Sequence, residues 1–215
     1  MFNLNFNLFI YQIPAIVVAM GLHESIKAFI STKLGDTKPK QAGRLTLNPL
    51  KHTDPIGALL MLFFGYGWSQ PTPVNPSLYR DYKKGILLTF IIPTVVNLFL
   101  GLGLTVLIAV LAPFTPGLAE EAFLSSIILN LLVFLYYLAL YNVALAVFNC
   151  IPIYPMDGWR VLGLFLPPNA RIRMSNYEKI FLMVLVMLLV IGVVGGVLDP
   201  IVQAVLRGVS ALWLS

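Results

Sequence analysis

Charge is what this sequence has least of. Only 11% of its 215 residues are Asp, Glu, Lys or Arg, against 59% hydrophobic residues and a mean hydropathy of +0.88, and that balance excludes an ordinary soluble domain. A polytopic membrane protein is the class that remains. There is one cysteine, Cys150, so no internal disulfide can form, the redox compartment cannot be read, and a small core residue is expected at that position. Fourteen basic residues outnumber nine acidic ones for a net charge of +5, yet they gather in loops and form no continuous stripe. This excludes a nucleic-acid surface and fits a chain oriented in a lipid bilayer. No repeat, linker or low-complexity stretch divides the chain, so a single membrane-embedded domain over residues 1–215 is expected. No basic leader precedes the first apolar run, so the first 31 residues read as a retained span and not a cleaved signal.

What is present is apolar length. Residues 6–32, 85–111, 122–148 and 180–198 are each long enough to cross a bilayer as a helix, which predicts an all-α bundle of about four transmembrane helices. The apolar run at 56–65 is half the required length. It reads as a re-entrant segment folded back against the core, since unsolvated backbone survives at membrane depth only inside protein or beside water. Residues 67–76 should then be extended and interfacial, with Trp68 as a belt residue, and 201–214 an amphipathic helix at the interface. Alternation over Arg44 to Leu47 predicts a short strand. Loops 33–55, 67–84 and 155–179 are basic and belong on the cytoplasmic side; 112–121 carries Glu120 and Glu121 and belongs outside. That topology requires 56–65 not to cross.

Three ionisable residues interrupt the first span. His23, Glu24 and Lys27 lie in the run AMGLHESIKA, where charge is costly and marks function by default. On a helix His23 and Lys27 share a face with Glu24 beside them. A helical H-E-x-x-H would place two imidazoles on one face to hold zinc, with the Glu as base for a metal-bound water. Here Lys27 stands where the second His would be.

The His23-Glu24 pair, the loop Gly43-Arg44-Leu45-Thr46-Leu47-Asn48-Pro49 with His52 and Asp54-Pro55, and the stretch from Phe148-Asn149 to Asp157-Gly158 together resemble the site-2 protease family of intramembrane zinc metalloproteases, in its small bacterial form without a PDZ domain. The resemblance spans about residues 10 to 165. It implies that His23 is a zinc ligand, Glu24 the catalytic base and Asp157 a carboxylate ligand donated from a later segment, with Lys27 at the missing-ligand position. Asn97 departs from the family pattern, being preceded by Ile92-Pro93-Thr94-Val95-Val96 and not by an Ala-Gly-Pro stretch. Asn97 and Asn149 have two open readings, binding an unwound substrate backbone or pairing polar groups between helices. His52 likewise has two, completion of a metal site or a turn role next to Asp54.

Lysine binds metal only as the neutral amine, and its ordinary pKa of about 10.4 together with two nearby acids favours the ammonium. The Lys27 cation is therefore expected to replace the metal and pair with Glu24 and Asp157. Three functions follow. The first is a pseudoprotease that engages transmembrane or membrane-associated polypeptides with weak or no peptidase activity. The second is an active zinc-dependent endopeptidase with an altered metal site. The third is a transporter or proton relay through the polar cluster. A bacterial or archaeal plasma membrane is the expected location.

Overall fold

The computed structural model describes residues 6–114 and 122–214, and among them it contains helices and no β-strand. Three helical stretches are long and apolar enough to cross a bilayer: Phe6–Lys33, Tyr82–Leu111 and Leu124–Asn149. The first consists of a short 3-10 turn followed by α1 (Phe9–Lys33), and Pro14 lies inside α1, where it lacks the N–H that would otherwise reach the Ile10 carbonyl. The second is α4 (Tyr82–Leu111), begun by Asp81, whose side chain accepts from the Lys84 N–H at 3.0 Å. The third belongs to α5 (Ala122–Asn149). This is a multi-pass membrane protein.

The fourth expected span is broken. Residues 180–198 were expected to run as one helix, but α8 (Glu178–Val190) and α9 (Val193–Leu214) meet at a bend of 72°. Gly192, at φ +80°, takes the left-handed conformation that ends α8. The proposed interfacial helix at 201–214 is thus the continuation of α9. That helix packs on α4 and α5 and buries Leu198, Val202 and Leu206. Residues Glu120 and Glu121, expected to mark the outer side, lie outside the described residues.

α5 is the hub. From Ala139 to Ala146 every residue is buried, so this half of the helix is enclosed all round, with α1, α4 and α9 against it. The opposite half exposes Leu124, Ile127, Leu129 and Leu131, as lipid contact requires.

The segment at 56–65 does fold back. Asp54 caps α3 (Pro55–Phe64), accepting from the Gly57 N–H at 2.8 Å, and Pro55 fits the first turn because its missing N–H would have been unpaired there. The helix ends at Gly65, and residues 66–75 return as an extended strap until the Gln70 N–H reaches the carbonyl of His52 at 2.8 Å. Strap and helix cross in backbone contact. A Cβ on Gly57 would lie 2.0 Å from the Trp68 carbonyl oxygen, and one on Gly67 would lie 1.9 Å from that of Gly57, so only glycine allows the crossing. Trp68 is half-buried against the core.

Arg44–Leu47 is not a strand. It stays irregular because its polar groups are taken up locally: the Thr46 carbonyl accepts from Ser25 Oγ and from His52 Nε2, both at 3.0 Å, and Arg44 donates to the Lys51 carbonyl. The three basic loops converge at one end of the bundle. Arg80 N–H reaches the Leu34 carbonyl at 3.4 Å and Arg171 donates to Tyr82 Oη at 3.1 Å, tying the loops together.

Candidate functional site

α1 presents His23 and Glu24 side by side and Lys27 one turn on, all at most 4% exposed. The fourth member arrives from across the molecule. Asp157 is the first residue of α6 (Asp157–Leu162), and its own N–H lies 3.4 Å from Asn149 Oδ1 at the end of α5. Asn149 in turn donates from Nδ2 to the Leu145 carbonyl at 2.9 Å. This side chain splices the end of the hub helix to the start of α6 and so fixes where the carboxylate points.

The centre of the cluster is the Lys27 ammonium. Nζ donates to Glu24 Oε1 at 2.7 Å and to Asp157 Oδ1 at 2.8 Å, and lies 5.5 Å from the centre of the Phe90 ring. His23 Nε2 lies 2.8 Å from the other Asp157 oxygen, Oδ2, and must carry the proton to donate to a carboxylate. Its Nδ1 is buried with no partner. The remaining Glu24 oxygen, Oε2, accepts from the Thr72 N–H of the strap at 2.7 Å, while Thr72 Oγ1 donates to the Glu24 backbone carbonyl at 3.2 Å. Asp157 responds to two opposing influences. Burial pushes its carboxyl up, and the Lys27 charge with the His23 hydrogen bond outweighs this and holds it below the ordinary carboxylate value.

A divalent cation does not fit this arrangement. Both Asp157 oxygens, both Glu24 oxygens and His23 Nε2 are already engaged, and the ammonium occupies the point between the carboxylates where a metal would need to sit. Among the described residues no group of three His, Cys, Asp or Glu side chains is disposed to hold a metal ion. His52 is buried away in the loop, its Nε2 on the Thr46 carbonyl. Asn97, buried in α4, donates from Nδ2 to the Ala19 carbonyl of α1 at 3.2 Å, between helices.

A cavity of about 260 Å³ opens beside the cluster. Glu24, Lys27 and Asp157 face it together with Asn149, the strap residues Trp68, Ser69 and Pro71 to Val74, and Tyr154, Pro155 and Arg160. Thr72 and Arg160 carried no motif. Thr72 acts chiefly through its backbone N–H, which any residue but proline supplies, and Arg160 is near the site only because α6 turns there. The one available signal was the density of prolines at 71, 73 and 76, which predicts extended chain.

A second buried polar network lies one turn further along α1. Thr89 Oγ1 donates to Tyr79 Oη at 3.1 Å, and Tyr79 Oη and Ser31 Oγ are 2.9 Å apart. Ser31 Oγ donates to Asp36 Oδ2 at 2.9 Å. Because the Ser31 proton goes to the carboxylate, Tyr79 must be the donor to Ser31, and the hydroxyls form a one-way relay ending on Asp36. Backbone N–H groups of Asn75 and Lys38 complete the carboxylate at 2.7 and 2.9 Å.

Comparison with known proteins gives the chain's family. The profile of Peptidase family M50 matches residues 56–192, which includes Asp157 and leaves out His23, Glu24 and Lys27. A protein of Bacillus subtilis (strain 168), described as "Putative zinc metalloprotease YwhC", is 35% identical over 202 residues, or 90% of this chain and 86% of that protein. No solved structure matches the chain.

Proposed function

The chain belongs to Peptidase family M50, the site-2 proteases, and within that family we propose that it is a non-cleaving form that holds transmembrane or membrane-associated polypeptides in a metal-free groove. One observation carries the reading: the Lys27 ammonium lies between Glu24 and Asp157 at 2.7 and 2.8 Å. Zinc chemistry is what the relative's name describes, and it needs the ligands free. In this chain the ligands neutralise a resident cation. Glu24 is also tied to the Thr72 N–H, so that each of its oxygens already holds a hydrogen bond that proton transfer from an attacking water would have to compete with.

The groove keeps what binding requires. The cavity beside the cluster is walled on one side by extended backbone and on the other by Asn149, Tyr154 and Pro155, a shape suited to a locally unwound segment. The basic loops gathered at this end support a cytoplasmic placement of the groove, in a bacterial or archaeal plasma membrane.

Metal content decides the matter. Elemental mass spectrometry of the detergent-purified chain should find no stoichiometric zinc, and the Lys27→His variant, prepared identically, should bind about one zinc per chain, the occupancy of a single structural or catalytic site. About one zinc per unmodified chain, with cleavage of a transmembrane peptide, would overturn the reading in favour of an active endopeptidase.

A further inference from the structure

A second cavity, of about 430 Å³, opens where the turn at Pro76–Leu78, the start of α4, α6 and α7 (Pro168–Asn176) meet. It is amphipathic. Arg160 and Arg171 line it with Ile86, Trp159 and Leu166, and Glu178 is the acidic group in the lining, which leaves an excess of positive charge. Arg171 is held in place: it donates from Nη1 to Tyr82 Oη at 3.1 Å and from Nη2 to the Leu166 carbonyl at 3.4 Å. Its Nε is buried without an acceptor, so the head of this guanidinium is both oriented and incompletely satisfied.

The surroundings say what kind of anion would come here. Phe165, Ile172 and Tyr177, at 77%, 62% and 54% exposed, are large apolar side chains beside the exposed Arg173 and Lys179. Exposed apolar and cationic side chains thus stand next to one another around α7, at the end of the bundle where the basic loops gather. A free inorganic anion would use the guanidiniums and leave the apolar wall uncovered. A lipid would use both.

We propose that this cavity is a binding site for an anionic phospholipid, with the phosphate on Arg160 and Arg171 and the acyl chain along Ile86, Trp159 and Leu166. Basic pockets between membrane helices on the cytoplasmic side are suited to this class of ligand. The site stands independently of whether the neighbouring groove binds polypeptide, although the two cavities share Pro76, Phe90 and Arg160 in their linings.

The test uses the full chain in mixed micelles containing equal phosphatidylglycerol and phosphatidylcholine, with retained lipid counted by native mass spectrometry. Phosphatidylglycerol should be retained over phosphatidylcholine by about tenfold. Arg160→Gln with Arg171→Gln should abolish the preference, Arg160→Lys with Arg171→Lys should keep part of it, and Lys38→Gln with Lys40→Gln, an equal charge loss on exposed positions elsewhere, should leave it unchanged. Equal retention of the two lipids, or equal loss in the Lys38 and Lys40 variant, would overturn the proposal. So would displacement of phosphatidylglycerol by millimolar inorganic phosphate, which would mark a free-anion site. Should the double glutamine variant fail to fold, Arg160→Gln alone, at an exposed side chain, carries the test, and an unchanged preference there counts against the site.

Discussion

Lys27 and Ser31 are four residues apart on one face of α1, and each serves a buried carboxylate in a different way. At Lys27 charge answers charge: one ammonium is shared by Glu24 and Asp157. At Ser31 no cation is involved, and Asp36 is held by a hydroxyl and two backbone N–H groups. Both solutions meet the rule that a buried charge must be compensated. They differ in how concentrated the compensation is. The charged cluster takes its ammonium charge from a single atom, Nζ, with His23 and the Thr72 N–H adding one hydrogen bond each, whereas the neutral network shares the load among three uncharged donors.

That difference should appear first in stability. Lys27→Ala leaves two buried carboxylates without their cation and is expected to cost about 3–5 kcal/mol, read as a lowered melting temperature in detergent. A melting curve unchanged by this substitution would mean that the two regions are compensated alike. Asp36→Asn should cost less, about 1–3 kcal/mol, because an amide keeps an acceptor oxygen for part of the donor set. If it proves the more damaging of the two, hydrogen bonds and not ion pairing dominate this end of the bundle.

The smallest effect is one of pH and belongs to the neutral network alone. Burial, the largest influence, pushes the Tyr79 phenol above its ordinary value of 10.0, although its hydrogen-bonded contacts with Ser31 and Thr89 pull the other way. A phenol harder to ionise in the folded state leaves stability unaffected below pH 10. Above it the unfolded chain ionises first, and stability declines as pH rises toward the folded value. Melting temperatures measured across the alkaline range should therefore fall above about pH 10, and fall less steeply in Tyr79→Phe. An identical slope in both proteins would remove Tyr79 from the explanation.

Much of the charged cluster was legible before any coordinates. His23, Glu24 and Lys27 stand out because ionisable residues are rare within an apolar span, and Asp157 follows from the pattern shared with the site-2 proteases. The re-entrant segment was legible from length alone, ten apolar residues being too few to cross. The neutral network was not. Ser31, Asp36, Tyr79 and Thr89 are ordinary residues at the ends of helices and in loops, and only folding brings them together. The bend at Gly192 was hidden inside an unbroken apolar run, where hydropathy sees continuity and only backbone conformation sees the break. Asn97 and His52, both polar and both buried, were visible as residues, but their partners are backbone carbonyls, which carry no signature in a sequence.

The strap has one further property. Gln70 and Thr72 point their N–H groups inward, to His52 and Glu24, and in extended chain the residues that follow each of them face the opposite way. Those residues are Pro71 and Pro73, both exposed and both without an N–H. Over Pro71 to Pro73 the outer edge of the strap thus offers carbonyl oxygens and no hydrogen to give. A neighbouring copy of the chain cannot zip onto it as a full ladder, which protects an otherwise bare edge from aggregation. A polypeptide laid along it must bring every proton itself, so a segment with proline at the facing positions would find nothing to pair with.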